Sequence, residues 1–131
     1  MLLFVYDALQ RNMQMITAVD IQNIAAEAQT AAAAAAARFF EEKLGGKDQY
    51  PCGFSWVNLY NYQGTPLRGN SKVGRALKQA GIRQNYNRVF EIWNPSKFPC
   101  QNVDTLEAGA VAAAAVWRKY GFAASAGSRL D

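Results

Sequence analysis

The residues of this chain that can carry catalytic chemistry are few and scattered. Asp104 and Glu107 stand three residues apart, one helical turn, as a general acid/base pair would need. The same spacing is typical of a capping box at the start of a helix, and that role explains both carboxylates without catalysis. Cys52 has no histidine to activate it, because the sequence contains none. We therefore expect the protein not to be an enzyme.

The lack of histidine also removes the commonest metal ligand and the commonest general base. Cys52 and Cys100 lie far apart in the sequence, without the Cys-x-x-Cys spacing of a zinc site. No metal and no cofactor are predicted. We expect two reduced thiols, as in a cytoplasmic protein, and a disulfide between them is the alternative.

Positive charge is concentrated in the middle of the chain. Residues 68–97 carry a net charge of +6, whereas the whole chain has a formal charge of +4. Such a segment favours an anionic partner, namely a nucleotide, nucleic acid or an acidic protein surface; a solvated face that keeps the protein soluble is an equal alternative. Within it, Ser71 and Lys72 open a predicted helix, and free N–H groups beside a lysine can hold a phosphate.

Trp56 and Trp93 are the candidate stacking residues. Each lies in a predicted strand, close to an asparagine and to arginine-rich loops, so its ring can stack on a nucleobase. Core packing is the competing interpretation and the commoner role of tryptophan, and we adopt it for Trp117.

The periodicity of the chain predicts one α+β domain. A long N-terminal helix is expected from Thr17 to Lys43, capped by Thr17 and Asp20 and stopped by Gly45-Gly46. Next come a strand at 54–60, a short helix between Ser71 and Gly81, a strand at 89–93, a helix from Asp104 to Gly121 and a strand at 122–128. The prediction is a small three-stranded sheet with the helices packed on one of its faces.

Three patterns refine this prediction. In the first strand, Phe54, Trp56, Asn58 and Tyr60 share one face, and Gly53, Ser55, Val57 and Leu59 share the other. The long helix carries a stripe formed by Ile21, Ile24, Ala28, Ala31, Ala35 and Phe39, and the last helix one formed by Leu106, Ala110, Ala113, Trp117 and Tyr120. The alanine-rich stripe predicts close packing between subunits or within the chain, and we expect a homo-oligomer through it; drift in an exposed low-complexity helix is the alternative. Residues 1–16 are predicted to be an extension outside the core of domain 17–131, and neither a signal peptide nor a membrane span.

Three sequence blocks, PCGFSWVNLY, EIWNPS with the downstream QNVDTLEAGA, and GFAASAGSRLD, occur together. They resemble a family of small proteins encoded by tailed phages, including phages of marine cyanobacteria. More remotely, their arrangement resembles the Thoeris anti-defence sponges, non-enzymatic oligomers that sequester a cyclic ADP-ribose immune signal. The second resemblance implies nucleotide contacts at Phe90, Asn94, Arg118 and Arg129, and the polyalanine helix departs from it.

The sequence therefore predicts a phage-encoded binding protein in the host cytoplasm that sequesters a cyclic ADP-ribose-like or cyclic nucleotide signal. The predicted ligand-binding residues are Trp56, Ser71, Lys72, Phe90, Trp93, Asn94, Arg118 and Arg129. A small nucleic-acid-binding protein is the first alternative, and a structural or scaffold protein of the phage particle is the second. No membrane partner is expected.

Overall fold

The structure, a computed structural model, describes residues 16–131. Its elements in chain order are α1 (Ala18–Leu44), β1 (Gly53–Tyr60), α2 (Lys72–Gln79), β2 (Arg83–Gln84), β3 (Phe90–Trp93), α3 (Val103–Lys119) and β4 (Ala123–Leu130). The α+β class and the long N-terminal helix are as predicted, but the sheet has four strands where three were predicted. Most of the predicted extension lies outside the described residues; Ile16, its last residue, packs against the core.

The four strands form an antiparallel sheet in the order β2-β3-β1-β4. This order and these directions are those of the ferredoxin-like β-α-β-β-α-β topology, with α1 added ahead of it. The unpredicted strand, β2, has only two residues, too few for an alternating pattern to appear in the sequence. It forms because the turn after it reverses the chain and pairs Arg83 with Glu91 of β3.

One face of the sheet is buried and the other is open. Along β1, buried and half-buried residues alternate strictly, so the two predicted faces are confirmed, and Val57 and Leu59 are directed inward. Phe90 of β3 pairs with Leu59 and is fully buried on the same side. All three helices contribute residues to this single core, which includes Trp117 as predicted. Within residues 16–131, the opposite face of the sheet is therefore left without a covering helix.

Small residues allow α1 and α3 to pack closely. The buried residues of α1 are Ile21, Ile24, Ala28, Ala32 and Ala36. The predicted stripe is correct as far as Ala28 and then lies one residue off, because the contact follows a row of i, i+4 neighbours instead of alternating steps of three and four. A Cβ atom on Gly109 of α3 would lie 3.1 Å from the Ala32 carbonyl oxygen. The alanine stripe is thus filled within the chain.

The caps of α1 and α2 agree with the prediction. Thr17 and Asp20 form a reciprocal capping box, and their hydrogen bonds hold the pKa of Asp20 below its usual range. Gly45 ends α1 in the left-handed conformation, with φ of 63°. At α2, the Ser71 hydroxyl accepts a hydrogen bond from the Gly74 N–H.

The start of α3 differs from the prediction. The capping box between Asp104 and Glu107 does not form, because Asn102 is the N-cap residue and its side chain accepts a hydrogen bond of 2.8 Å from the Thr105 N–H. Glu107 instead accepts a hydrogen bond from the Ser128 hydroxyl on β4. Both carboxylates border the same surface cleft, but neither caps the helix.

The end of α3 also differs, because Tyr120 belongs to the surface and not to the buried stripe. Its hydroxyl donates a hydrogen bond to Glu27 of α1, and Lys119 forms an ion pair with the same carboxylate. The hydrogen bonds from Lys119 and Tyr120 lower the pKa of Glu27. Three side chains therefore fasten the end of α3 to the middle of α1.

The two cysteines are free thiols, as expected. Cys100 is partly buried, and burial raises its pKa, which lowers the fraction of reactive thiolate.

Replacing Gly109 by valine should lower the free energy of unfolding by about 1–3 kcal/mol, the usual cost of overpacking. The new Cβ atom would lie 2.8 Å from Cβ of Ser96 and 3.1 Å from the Ala32 carbonyl oxygen. Urea denaturation measures the change. Ala115→Val introduces the same side chain on the exposed side of α3 and should cost less than about 1 kcal/mol. Because valine has a higher helix propensity than glycine, propensity does not explain a loss of stability in Gly109→Val. Equal stability of the two variants would contradict the close approach of the helices.

Candidate functional site

The two central strands place an aromatic cluster, formed by Phe54, Trp56 and Trp93, on the open face. Trp56 of β1 and Trp93 of β3 are cross-strand partners. Their indole rings are parallel within 2°, with centroids 5.6 Å apart. The Phe54 ring lies 5.5 Å from the Trp93 ring at an angle of 35°. Each such pair contributes about 0.5–1.5 kcal/mol beyond its burial, so the three rings fix one another's orientation.

Trp93 is the ring of the aromatic cluster that is most open to solvent. Its side chain is 50% exposed, although tryptophan is a highly buried residue on average. Because the rings of Phe54 and Trp56 hold it in place, little conformational freedom is lost when a planar ligand stacks on it. The exposed indole is therefore a suitable surface for a nucleobase.

Gly127 of β4 makes room for the Trp56 ring. It is the register partner of Trp56 across the β1–β4 pair, and a Cβ atom at this position would lie 2.5 Å from the indole. The ring therefore extends over the β4 backbone. The sequence pattern did not single out Gly127, because a glycine in a strand marks a bulge as readily as a close contact.

Arg129 places a positive charge beside the aromatic cluster. It is the register partner of Phe54, and its guanidinium carbon lies 5.4 Å from the centre of the Phe54 ring, within the range of a cation–π contact. No acidic side chain among residues 16–131 lies within ion-pair distance of it. The exposed guanidinium can therefore offer its donors to an anion.

A cleft of about 400 Å³ lies next to the aromatic cluster. It is lined by Trp56, Asn58 and Tyr60 of β1, Glu91 and Trp93 of β3, the turn residues Asn85, Tyr86, Asn87 and Val89, and Arg129 of β4. Its volume lies within the range of sites for small molecules. The lining combines aromatic surfaces with side-chain amides, which suits a planar ligand that has hydrogen-bonding edges.

The turn between β2 and β3 forms one wall of the cleft and is braced by Asn85. Its side-chain oxygen accepts hydrogen bonds from the N–H groups of Asn87 and Val89, at 2.9 and 3.1 Å. Its amide nitrogen donates to the Glu91 carboxylate at 3.1 Å. Tyr86, at the tip of this turn, is 94% exposed. The wall thus presents a free aromatic ring on a fixed backbone.

Two residues predicted to contact the ligand lie away from the open face. Phe90 is fully buried on the core side of the sheet, so its ring has no surface to offer. Arg118, near the end of α3, donates a hydrogen bond of 2.8 Å to the Ala124 carbonyl oxygen. Both residues have structural roles in this fold.

Ser71 and Lys72 form a separate group at the start of α2. The Ser71 hydroxyl donates to the Arg68 carbonyl oxygen at 2.7 Å and accepts from the Gly74 N–H at 3.0 Å. Lys72 is exposed beside it. Neither residue lines the cleft, and the serine hydroxyl is engaged in capping the helix.

Asn94 borders a second cavity, of about 160 Å³, on the side of the core. It follows β3 with φ of 45°, and its N–H donates to the Ser55 carbonyl oxygen at 2.9 Å. Its Oδ1 atom is buried without a hydrogen-bond partner, and so is Nε1 of Trp117, which lines the same cavity. Asn94 thus lies next to Trp93 in the chain but does not line the cleft.

The described part of the chain contains no group of three or more histidine, cysteine, aspartate and glutamate side chains that can hold a metal ion. None of its helices is both long enough and apolar enough to cross a membrane. No protein-family model matches the chain, and comparisons with curated proteins and with solved structures found no match. The geometry of the open face is therefore the basis for assigning a function.

Replacing Gly127 by alanine should separate the stacked indoles, because the new Cβ atom would lie 2.5 Å from the Trp56 ring. We expect the exciton-coupled circular dichroism of the Trp56–Trp93 pair to disappear while the helical signal stays. Ser125→Ala, two residues earlier on the same face of β4, is the control and should keep the exciton signal. A signal that persists in Gly127→Ala would show that Trp56 does not depend on this glycine.

Proposed function

We propose that the protein is a non-enzymatic binding protein whose open sheet face holds a nucleotide unit. One observation carries the proposal: the half-exposed Trp93 ring is fixed by Trp56 and lines the same cleft as Arg129, whose guanidinium lies over the Phe54 ring. Stacking a base on an aromatic side chain contributes about 1–3 kcal/mol. A guanidinium can bind a phosphate through two parallel hydrogen bonds, which gives the second contact a defined geometry.

The proposed base site and phosphate site are close together. The Phe54 ring lies 5.5 Å from the Trp93 ring and 5.4 Å from the Arg129 guanidinium, so the two sites lie within about 11 Å of each other. The amides of Asn58 and Asn87 in the same cleft can hydrogen-bond the edge of a base.

The cleft favours retention of the nucleotide over its conversion. Glu91 is the one acidic residue in the cleft lining, and its carboxylate is bound by Asn85. General acid/base catalysis needs a positioned proton donor or acceptor near the reacting atoms, and the chain has no histidine for this role.

The nucleotide unit can come from two sources. The resemblance to phage sponges supports a free signal of the cyclic ADP-ribose or cyclic nucleotide type, which the protein would sequester in the host cytoplasm. A single strand of nucleic acid presents the same base and phosphate chemistry, and the net charge of +6 in residues 68–97 supports that source.

Trp93→Ala should weaken nucleotide binding by about 1–3 kcal/mol, or about 5- to 150-fold, through the loss of stacking. Arg129→Lys should cost about 1.5–3 kcal/mol, because lysine cannot reproduce the forked hydrogen bonds. Calorimetry with AMP, cyclic AMP and cyclic ADP-ribose measures both changes.

Val111→Ala is the matched control, since Val111 is an exposed apolar residue of α3, which packs on the other face of the sheet. It should bind nucleotides as the wild type does. Undiminished binding by Trp93→Ala would remove this ring from the site. If the wild type binds neither nucleotides nor oligonucleotides, the proposal is wrong.

We also propose self-association through the exposed side of α1. Ala28 and Ala32 are buried against the rest of the chain, so a partner subunit would contact exposed residues such as Ala34. Ala34→Glu should then lower the mass measured by sedimentation, because an interface penalises an unpaired charge. Ala115→Glu, the same change at an exposed alanine of α3, is the control and should keep the wild-type mass. Equal masses of wild type and Ala34→Glu would contradict this interface.

A further inference from the structure

We propose that the open face binds a single strand of nucleic acid several nucleotides long, in preference to one free nucleotide. This inference rests on the proposed function and names the ligand class of the same site. It is carried by three features of the open face: its length, the size of the residues on β4 and the position of its arginines.

The open side of β1 carries aromatic rings at both ends. Phe54 and Tyr60 lie six residues apart on the same face, which corresponds to about 20 Å at 3.3 Å per residue. Trp56 and Trp93 lie between them, and Tyr86 adds an exposed ring on the neighbouring turn. Four-stranded antiparallel sheets that bind RNA stack two or three bases on aromatic residues of such a face. The arrangement has more stacking surface than one base can use.

Beyond Arg129, the β4 side of the face is low. Arg129 is the β4 residue that lines the cleft, whereas Ser125 and Gly127, the register partners of Asn58 and Trp56, are too small to enclose a ligand. Sites for small ligands bury roughly 70–90% of the ligand surface. A face that is walled on one side by the β2–β3 turn and open on the other suits a ligand that continues past the site.

Arginines lie at both borders of the face. Arg129 is on β4 at one border. At the other, Arg83 pairs directly with Glu91, so the two residues share the open face, and Arg88 is exposed on the adjoining turn. A nucleic-acid strand that runs diagonally over the face, from Arg129 beside Phe54 to Arg83 beside Glu91, therefore meets positive charge at both ends of its path. Glu91, which lies between them, is hydrogen-bonded to Asn85.

The inference is tested by titrating the full chain and following its tryptophan fluorescence. The ligands are thymidine monophosphate, the oligonucleotides dT4 and dT8, the ribo-octamer rU8 and cyclic ADP-ribose. We expect an octamer to bind about 100-fold or more tightly than the monophosphate, because linked contacts reinforce one another. The logarithm of the association constant for an octamer should fall linearly with the logarithm of the salt concentration, with a slope of about −2. Each of the three arginines contributes about −0.7 to this slope on a single strand. Tight binding of either dT8 or rU8 supports the inference, and the pair shows which sugar is preferred.

Two variants locate the strand on the open face. Trp93→Ala should weaken octamer binding at least about 5-fold at every salt concentration, whereas Arg83→Gln should make the salt slope shallower by about 0.7. Arg38→Gln removes an exposed arginine of α1, on the helical side of the molecule, and should change neither quantity.

The failures of the two proposals can be told apart. If the octamers bind no more tightly than the monophosphate, or less tightly than cyclic ADP-ribose, the strand inference is wrong and nucleotide binding stands. Equal affinity for dT8 and for the dA8·dT8 duplex would also contradict it, because paired bases cannot stack on Trp93. If none of these ligands binds, both proposals are wrong.

Discussion

The buried apolar core of the described residues lies on one side of the sheet. The inward residues of β1 and β3 meet α3, and α1 completes the core through a close contact between Ala32 and Gly109. With its helices committed to this side, the fold has none left to cover the opposite face. Aromatic rings on that face are unexplained by the packing of the core, and an exposed apolar patch of this kind is typical of an interaction site.

The open face is organised before any ligand arrives. The pairing of β1 with β3 sets Trp56 opposite Trp93, and the missing side chain of Gly127 allows the Trp56 ring to extend over β4. The pairing of β1 with β4 sets Arg129 beside Phe54. Since the rings and the guanidinium are already in contact, binding loses less conformational entropy than it would with free side chains. The strand register thus positions the aromatic rings and the guanidinium, whereas binding residues are commonly positioned by loops.

The sequence predicts the helices and the two faces of β1 well, because the signals are local. Thr17 and Gly45 mark the ends of α1, and the alternation in β1 separates the residues of its two faces without reference to any partner. The features that the sequence did not predict depend on tertiary contacts. The two residues of β2 are too few to form a recognisable strand pattern. Asn102, and not Asp104, caps α3, and its side chain also hydrogen-bonds the Gln49 carbonyl oxygen, which is distant in the sequence.

The candidate site was predictable in part for the same reason. The alternation of β1 places Trp56 on one face together with Phe54, but only the structure shows that this face is open and that Trp93 stacks on Trp56. Phe90 and Arg118 entered the predicted site through a resemblance, and their positions depend on register and on a hydrogen bond to Ala124. The sequence does not show the role of Gly127, because that role is to leave space for the Trp56 ring, which lies on another strand.

The most direct measurement of the central claim is the set of three indole N–H signals in a two-dimensional NMR spectrum, recorded while a nucleotide or an oligonucleotide is added. The chain has three tryptophans, of which Trp56 and Trp93 lie on the open face and Trp117 is fully buried in the core. If the open face binds nucleotides by stacking, the signals of Trp56 and Trp93 shift on titration and that of Trp117 stays in place. A shift of the Trp117 signal alone, or saturable binding that leaves all three signals unmoved, would contradict the account.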